Sequence, residues 1–137
     1  MKALLSIKPQ FVKEIMAGRK KYEYRKKIFK QDVDSVLIYA SMPVGRIVGE
    51  FTIGEIISDS PMKIWKETKE YSGISFDDYE KYFNGKQDAY AIQIKNVEVY
   101  DKPINPYDKF ENFIAPQSYK YVDSDFIFNL THNKIMS

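Results

Sequence analysis

The side chains best suited to chemistry are concentrated in one short segment, Gly18-Arg19-Lys20-Lys21-Tyr22-Glu23-Tyr24-Arg25. In an extended chain, alternate side chains point to the same face, so Glu23 and Arg25 lie next to each other. A carboxylate accepts hydrogen bonds from an exocyclic amine, and a guanidinium binds a phosphate or a carbonyl group at two points. The spacing leaves two interpretations open: both side chains bind one ligand, or they form an ion pair on an exposed strand.

The composition of the 137-residue chain excludes several kinds of site. The absence of cysteine excludes disulfide scaffolds, zinc ribbons, iron–sulfur clusters and thiol nucleophiles. The single histidine, His132, excludes metal sites built on two histidines. No apolar run approaches the ~20 residues of a membrane span, and Lys8 interrupts the first apolar stretch too early for a secretory signal. We therefore expect a cytoplasmic protein with no metal, no other cofactor and no membrane partner.

The charges are distributed unevenly along the chain. Residues 1–30 contain ten Lys and Arg but only two acidic residues, whereas residues 31–137 contain eleven basic and seventeen acidic residues. Such asymmetry predicts a basic face that meets an anionic partner, the alternative being charges dispersed over a solvated surface. The candidate phosphate contacts on that face are Arg19, Lys21, Lys26 and Lys27.

The order of predicted elements favours one α+β domain. Its core spans residues 3–100, and residues 101–137 form a C-terminal extension. Strands are predicted near 3–8, 20–25, 33–40, 46–57, 88–100 and 119–122, with helices starting at residues 9, 61 and 76 and a last helix over 125–133. Gly49 and Gly54 lie inside a strand and predict bends or bulges, as does the region of Asn96. These features are typical of a small mixed β-barrel with short helices packed on its outside.

The segment around Lys20 fits the pattern G-x-K-x-x-E-x-R, and through it the chain resembles the ASCH domain family of the PUA-like superfamily. Gly18, Lys20, Glu23 and Arg25 match the pattern. The resemblance extends over residues 3–100, and residues 117–119 resemble a tail segment of stand-alone bacterial members. It implies a PUA-like mixed β-barrel with a cleft beside the strand that carries the motif. The other similar segments are Ser6-Ile7-Lys8-Pro9, Tyr39-Ala40-Ser41-Met42-Pro43, Val48-Gly49-Glu50-Phe51 and Asp88-Ala89-Tyr90-Ala91-Ile92.

The resemblance also implies a link to RNA, since ASCH domains are viewed as RNA-binding or coactivator-linked modules and related groups read modified bases. One branch of small ASCH proteins hydrolyses N4-acetylcytidine with a Lys, a Thr nucleophile and a Glu. Lys20 matches that Lys by position, but Glu23 occupies the position of the Thr. A carboxylate cannot replace the hydroxyl group in that role, so another hydroxyl, from Ser41 or Ser118, would have to be activated by a desolvated Lys20.

We therefore predict a module that binds RNA or a nucleobase-like ligand, with one unpaired base in the cleft and phosphates on the basic face. The alternative is a small hydrolase in the same cleft, either an amidohydrolase on a modified nucleoside or a ribonuclease. In the hydrolase, Lys20 would be the base or electrostatic stabiliser and Glu23 the general acid or base. A third possibility is a protein-interaction adaptor that docks through the acidic half of the chain. The predicted ligand-binding residues are Lys8, Gly18, Lys20, Glu23, Arg25, Ser41, Tyr90, Gln117 and Ser118.

Overall fold

Residues 1–132 are described by the computed structural model, and this part of the chain contains six strands and five α-helices. A single 3₁₀ turn, Lys69–Tyr71, follows the second helix. The elements in chain order are β1 (Lys2–Ile7), α1 (Pro9–Met16), β2 (Tyr22–Arg25), β3 (Ser35–Ala40), β4 (Arg46–Asp59), α2 (Pro61–Thr68), α3 (Phe76–Tyr82), β5 (Ala89–Ile104), α4 (Pro106–Lys109), β6 (Tyr119–Val122) and α5 (Ser124–His132).

The strands form one curled sheet, a half-barrel, in the order β2-β5-β4-β3-β1-β6. β1 runs parallel to β3, and the remaining neighbours are antiparallel. Every residue of β3 is buried, as expected for a strand covered on both faces. The predicted α+β class with short helices outside a PUA-like sheet is confirmed. β2 and β6 are the two ends of this strand order, and a large cavity lies beside β2.

Local sequence signals account for the helices around the cavity. α1 starts with Pro9 at its first position, and its buried residues Val12 and Ile15 face the core. The helix is followed by Gly18, whose φ of +79° is the left-handed conformation that glycine adopts most easily. Ser60 and Ser75 cap α2 and α3, because their hydroxyl groups accept hydrogen bonds from the backbone N–H groups of Lys63 and Asp78. Both helices start where the sequence predicted, at Pro61 and Phe76.

The long strands β4 and β5 bend where the sequence predicted irregularities. Their register shifts between Ile47 and Gly49 and again between Ile53 and Ile56, the interval that contains Gly54. Asn96 has a φ of +50°. These irregularities curl the sheet, because a bulge increases the local twist of its strand.

Several predicted boundaries were wrong. The motif strand begins at Tyr22 rather than at residue 20, because the backbone N–H groups of Arg19 and Lys20 both bind the carbonyl group of Glu14 and extend the turn after α1. β5 continues beyond its predicted end at residue 100 to Ile104, which pairs with Ile47, and the short helix α4 follows it. Residue 133, the predicted end of the last helix, lies outside the described residues.

The C-terminal segment is integrated into the sheet. β6 pairs antiparallel with β1, and Val122 from β6 and Leu130 from α5 are buried in a cluster with Leu4 and Leu37. This pairing brings the residues just before β6 to the end of β1, where the backbone N–H of Ser6 donates to the carbonyl group of Ser118. Within residues 1–132, no helix is both long and apolar enough to cross a membrane.

We expect Gly49→Ala to destabilise the fold more than Gly54→Ala. A Cβ atom on Gly49 would lie 2.3 Å from the backbone oxygen of Glu98, whereas a Cβ atom on Gly54 would meet side-chain atoms of Gln93 and Lys95, which can rotate away. Overpacking of this kind costs about 1–3 kcal/mol, so the free energy of unfolding in urea should fall by that amount for Gly49→Ala and by less for Gly54→Ala. Equal losses in the two variants would contradict the close strand contact.

Candidate functional site

A cavity of about 550 Å³ lies between α1, β2, α3 and the segment before β6. Six of its lining residues are basic and one is acidic, so its walls carry a strong positive charge. Three aromatic rings and four residues with hydroxyl or carboxamide groups complete most of the lining. The basic and acidic residues are Lys8, Lys20, Arg25, Lys26, Lys27, Lys86 and Glu23, the aromatic ones are Phe11, Tyr24 and Tyr82, and the polar ones are Ser6, Ser41, Gln117 and Ser118.

Lys20 is the most deeply buried charged residue of the cavity, with 2% of its surface exposed. Its Nζ atom donates a hydrogen bond of 2.7 Å to the carbonyl oxygen of Ser72 and lies 4.0 Å from a carboxylate oxygen of Glu23. The ring centres of Tyr24 and Phe11 are 4.7 and 5.2 Å away. Burial lowers the pKa of the Lys20 amine, and the Glu23 carboxylate opposes part of that change. An ammonium ion has three donors, so the single hydrogen bond leaves donor capacity for a ligand.

Glu23 and Arg25 form the ion pair that was one of the two interpretations of their spacing, but the pair lies largely buried at the cavity and not on an exposed strand. Both side chains line the cavity, and they are also paired, with 2.9 Å between a carboxylate oxygen and Nη2. Arg25 then reaches across to the end of β1, where Nη2 donates to the carbonyl oxygen of Ser6 at 3.0 Å and Nη1 to Oγ of Ser118 at 3.3 Å. The guanidinium group therefore links β2 to the β1–β6 side of the sheet at the wall of the cavity.

The aromatic rings form an apolar wall beside these charges. The hydroxyl group of Tyr24 is paired with Oγ1 of Thr68 at 2.7 Å, and burial raises the pKa of Tyr24 to about 12. Burial also raises the pKa of Tyr82, whose ring lies 4.5 Å from Nζ of Lys26. Both tyrosines therefore stay protonated near neutral pH, and they offer ring surface and neutral hydroxyl groups rather than charge.

Most of the residues singled out in the sequence come together in this cavity. Lys8, Lys20, Glu23, Arg25, Ser41, Gln117 and Ser118 line it, and so do Lys26 and Lys27. The structure places the remaining four elsewhere. Gly18 serves as the stop of α1, and Tyr90 lies opposite Arg25 on β5, outside the lining. Arg19 pairs with Glu14, and the Nζ atom of Lys21 lies 4.3 Å from the ring centre of Tyr71.

Sequence reasoning missed part of the lining. Tyr82 and Lys86 come from the end of α3 and the loop after it, about sixty residues from the motif, and no local pattern connects them with Lys20. Phe11 and Tyr24 pack against apolar clusters of the core, and they also border the cavity. Among residues 1–132, no group of three or more His, Asp and Glu side chains is placed to hold a metal ion.

The depth of the cavity favours an anion. Lys20, Glu23 and Arg25, whose side chains are 2%, 9% and 11% exposed, bring two positive charges and one negative charge into the protein interior at the cavity wall. Coulombic interactions are stronger there than at an exposed surface, because the effective dielectric constant is lower. A phosphate or carboxylate group placed beside Lys20 would balance the net positive charge of these three side chains. Its oxygen atoms would also accept hydrogen bonds from the N–H groups of Lys20 that have no hydrogen-bond partner within residues 1–132.

The lowered pKa of Lys20 predicts how stability depends on pH. The unfolded chain keeps the amine near its ordinary pKa of 10.5, so between the lowered value and 10.5 the unfolded state binds more protons. The free energy of unfolding therefore rises with pH across that window. Lys20→Met removes the titrating group and Lys20→Arg stays charged. Urea unfolding at about pH 7 and about pH 10 should show the wild type gaining stability relative to both variants, and parallel changes in all three would contradict a buried amine.

Comparison with known proteins relates the chain to a family. The family model of the ASCH domain matches residues 5–98. An ASCH domain-containing ribonuclease of Zymomonas mobilis is 28% identical over 123 residues, which cover 85% of this chain and 80% of that protein. The chain is also 31% identical over 101 residues to the ATP synthase subunit alpha of Ureaplasma parvum, but this match covers 73% of the chain and only 13% of that protein.

Solved structures agree with the sequence comparisons. The crystal structure of ASCH from Zymomonas mobilis has a TM-score of 0.87 with this chain at 26% identity, covering 94% of this chain and 92% of that one. A variant of the same protein with one tyrosine changed to phenylalanine has a TM-score of 0.86 at 25% identity, covering 94% and 95%. Since the family model matches well over half of the residues and the fold agrees along nearly the whole chain, this protein belongs to the ASCH domain family.

Proposed function

We propose that this protein binds single-stranded RNA in the cavity around Lys20 and cleaves the RNA there. The observation that carries the proposal is the charge of the cavity, in which six basic residues face one carboxylate and the most buried of them is Lys20. Nucleic acids are the polyanions that such a surface attracts, since each neutralised phosphate adds to the affinity by releasing counterions.

The shape and the rings of the cavity favour a single strand over a duplex. RNA-binding proteins recognise unpaired bases by stacking them on aromatic side chains and by hydrogen-bonding their edges. The lining supplies Phe11, Tyr24 and Tyr82 as rings and the side chain of Gln117 for a base edge. A cavity of about 550 Å³ accommodates one nucleotide but not a double helix. We infer that one unpaired nucleotide enters while its neighbours lie along Lys26 and Lys27.

Cleavage is supported by the relationship to the Zymomonas mobilis protein, which is described as a ribonuclease and matches most of both chains. In the reaction we propose, the 2′-hydroxyl oxygen of the RNA attacks the adjacent phosphorus. A bond from O2′ to phosphorus forms and the bond from phosphorus to O5′ breaks. Glu23 accepts the proton of the 2′-hydroxyl group, and the Lys20 ammonium returns a proton to the leaving O5′. The products are a 2′,3′-cyclic phosphate and a new 5′-hydroxyl end.

Arg25 and Lys20 stabilise the negative charge that builds up on the phosphoryl oxygens in this reaction. Both cations are largely buried, and preorganised charges in such a site act strongly on a transition state. The contacts fit an amidohydrolase less well, because the hydrogen-bond partner of Lys20 Nζ is the carbonyl group of Ser72 and not a hydroxyl nucleophile. N4-acetylcytidine is therefore a useful negative substrate.

Binding is tested by fluorescence anisotropy with labelled single-stranded RNA over a series of salt concentrations. We expect affinity to fall steeply with salt, with a slope of about −0.7 for each phosphate neutralised. The double variant Lys26→Ala/Lys27→Ala should make that slope shallower by about 1.4. Lys95→Ala/Lys102→Ala removes the same charge from exposed positions on β5 and serves as the matched control. Equal slopes in the two double variants would contradict an RNA path along the cavity.

Cleavage is tested with a 5′-labelled RNA, with and without Mg²⁺ because the ion itself binds RNA phosphates. We expect Lys20→Met to lower the cleavage rate by roughly 10²–10³-fold, the loss typical of removing one preorganised charge or donor. Lys102→Ala should cleave as the wild type does. RNA with a single 2′-deoxy nucleotide at the cleaved bond should bind but stay intact. Cleavage that persists unchanged in Lys20→Met would mean that the cavity is not the active site.

A further inference from the structure

A tight turn between α2 and α3 closes on the side chain of Lys20. The turn consists of Ser72, Gly73 and Ile74, which follow the 3₁₀ turn Lys69–Tyr71. It is tied to the chain beside the motif strand, because the backbone N–H of Lys21 donates to the carbonyl oxygen of Tyr71 at 2.9 Å. We call these three residues the Lys20 turn. Ile74 also lines the cavity, so the turn forms part of its wall.

Gly73 touches the stem of Lys20 more closely than any residue with a side chain would allow. A Cβ atom built on Gly73 would lie 2.5, 2.7 and 2.9 Å from Cβ, Cγ and Cδ of Lys20. These atoms are the base and middle of the lysine side chain, which cannot swing aside as a flexible tip would. Gly73 also has a φ of +63°, a conformation that favours glycine. The position therefore requires the absence of a side chain for two separate reasons.

Ser72 holds the other end of the same lysine. Its carbonyl oxygen accepts the hydrogen bond from Lys20 Nζ, and its own hydroxyl group donates to the carbonyl oxygen of Ile74 at 3.0 Å. Ser72 is 4% exposed. The hydroxyl bond spans Gly73 and fixes the shape of the turn, so the carbonyl group that receives the ammonium keeps its direction. The stem of Lys20 is thus confined by Gly73 and its charged end by Ser72.

We propose that Gly73 and Ser72 are positioning residues that hold Lys20 Nζ at the depth of the cavity where the scissile phosphate binds. The inference rests on the proposed function for its catalytic consequence. The remaining neighbours of Lys20 attract or repel its charge without fixing its stem: Glu23 and Arg25 from β2 and Glu14 from α1 are the charged groups that act on it, and Tyr24 and Phe11 contribute rings. The Lys20 turn is the element that fixes how far the Lys20 side chain reaches into the cavity.

The test compares Gly73→Ala with Gly85→Ala. Gly85 also has a positive φ, +77°, but a Cβ atom there would meet nothing within 4 Å, so this variant carries the backbone strain without the contact. The pKa of Lys20 is read from the NMR titration of its Cε resonance, assigned by its loss in Lys20→Arg. Gly73→Ala should push the amine out of its site and raise its pKa towards 10.5, whereas Gly85→Ala should leave it unchanged.

RNA cleavage supplies the second readout. A displacement of about 1 Å in a reacting group can cost about 10²-fold in rate, and we expect a loss of that size in Gly73→Ala but not in Gly85→Ala. The inference is overturned if folded Gly73→Ala keeps the pKa of Lys20, or if Gly85→Ala shifts it equally. If Gly73→Ala does not fold, the Ser72→Ala variant provides the test. Ser72→Ala should raise the pKa of Lys20 by a smaller amount than is expected for Gly73→Ala, and an unchanged pKa refutes the positioning role.

The two readouts separate this inference from the proposed function. The titration of Lys20 needs no RNA, so a wild type that fails to cleave RNA refutes the ribonuclease proposal while the pKa shift in Gly73→Ala still reports on positioning. Conversely, cleavage that depends on Lys20 but is insensitive to Gly73→Ala refutes the positioning role alone.

Discussion

The structure around the cavity depends on keeping one ammonium ion inside the protein. Burying an unpaired charge is costly unless hydrogen bonds and opposite charges compensate for it, and the compensation for Lys20 comes from different parts of the chain. α1 supplies Phe11, β2 supplies Tyr24 and Glu23, and the turn after α2 supplies the carbonyl group of Ser72. All of these elements must lie within a few ångströms of the Lys20 ammonium group for its burial to be tolerated. The lowered pKa shows that the compensation is incomplete, which is the condition that makes the amine responsive to an anionic ligand.

The half-barrel explains why there is space for such a site. β2 and β6 are the ends of the strand order, so the region between β2 and the end of β1 is crossed by side chains instead of a strand. Arg25 makes that crossing, bound to Glu23 on its own strand and to Ser6 and Ser118 on the other side. A fully hydrogen-bonded closure would remove the unpaired strand edges that proteins usually protect, but it would also fill the cavity. When the guanidinium group of Arg25 bridges the gap, it covers the strand edges there and leaves a positive charge on the wall of the cavity.

The local parts of this arrangement were predictable from sequence, and the long-range parts were not. Alternation and capping residues identify the strands and the starts of the helices, because both follow from contacts within a few residues. The resemblance to the ASCH motif singles out Lys20, Glu23 and Arg25, which lie close together in the sequence. Burial of Lys20 is different: a lysine after a helix stop is normally exposed, and only the turn at Ser72, about fifty residues later, encloses it. Arg19 and Lys21 show the converse, since a basic run in sequence is divided between the cavity, an ion pair and a tyrosine ring.

The carboxylate of Glu23 gives the site its particular balance of stability and reactivity. Without it, Lys20 and Arg25 would repel each other in a region of low dielectric constant, and the folded state would have to neutralise Lys20 or expose it. With it, Arg25 is paired at 2.9 Å while Lys20 stays 4.0 Å away, so the arginine takes the larger share of the negative charge. This asymmetry assigns different roles to the two cations. Arg25 is held as a fixed part of the cavity wall. Lys20 keeps N–H donors that are free to bind a ligand, and its lowered pKa makes it a stronger acid than an exposed lysine. A nucleotide phosphate would complete the coordination of Lys20 without displacing the Arg25–Glu23 pair, so binding a ligand need not disturb the link between the two sides of the sheet.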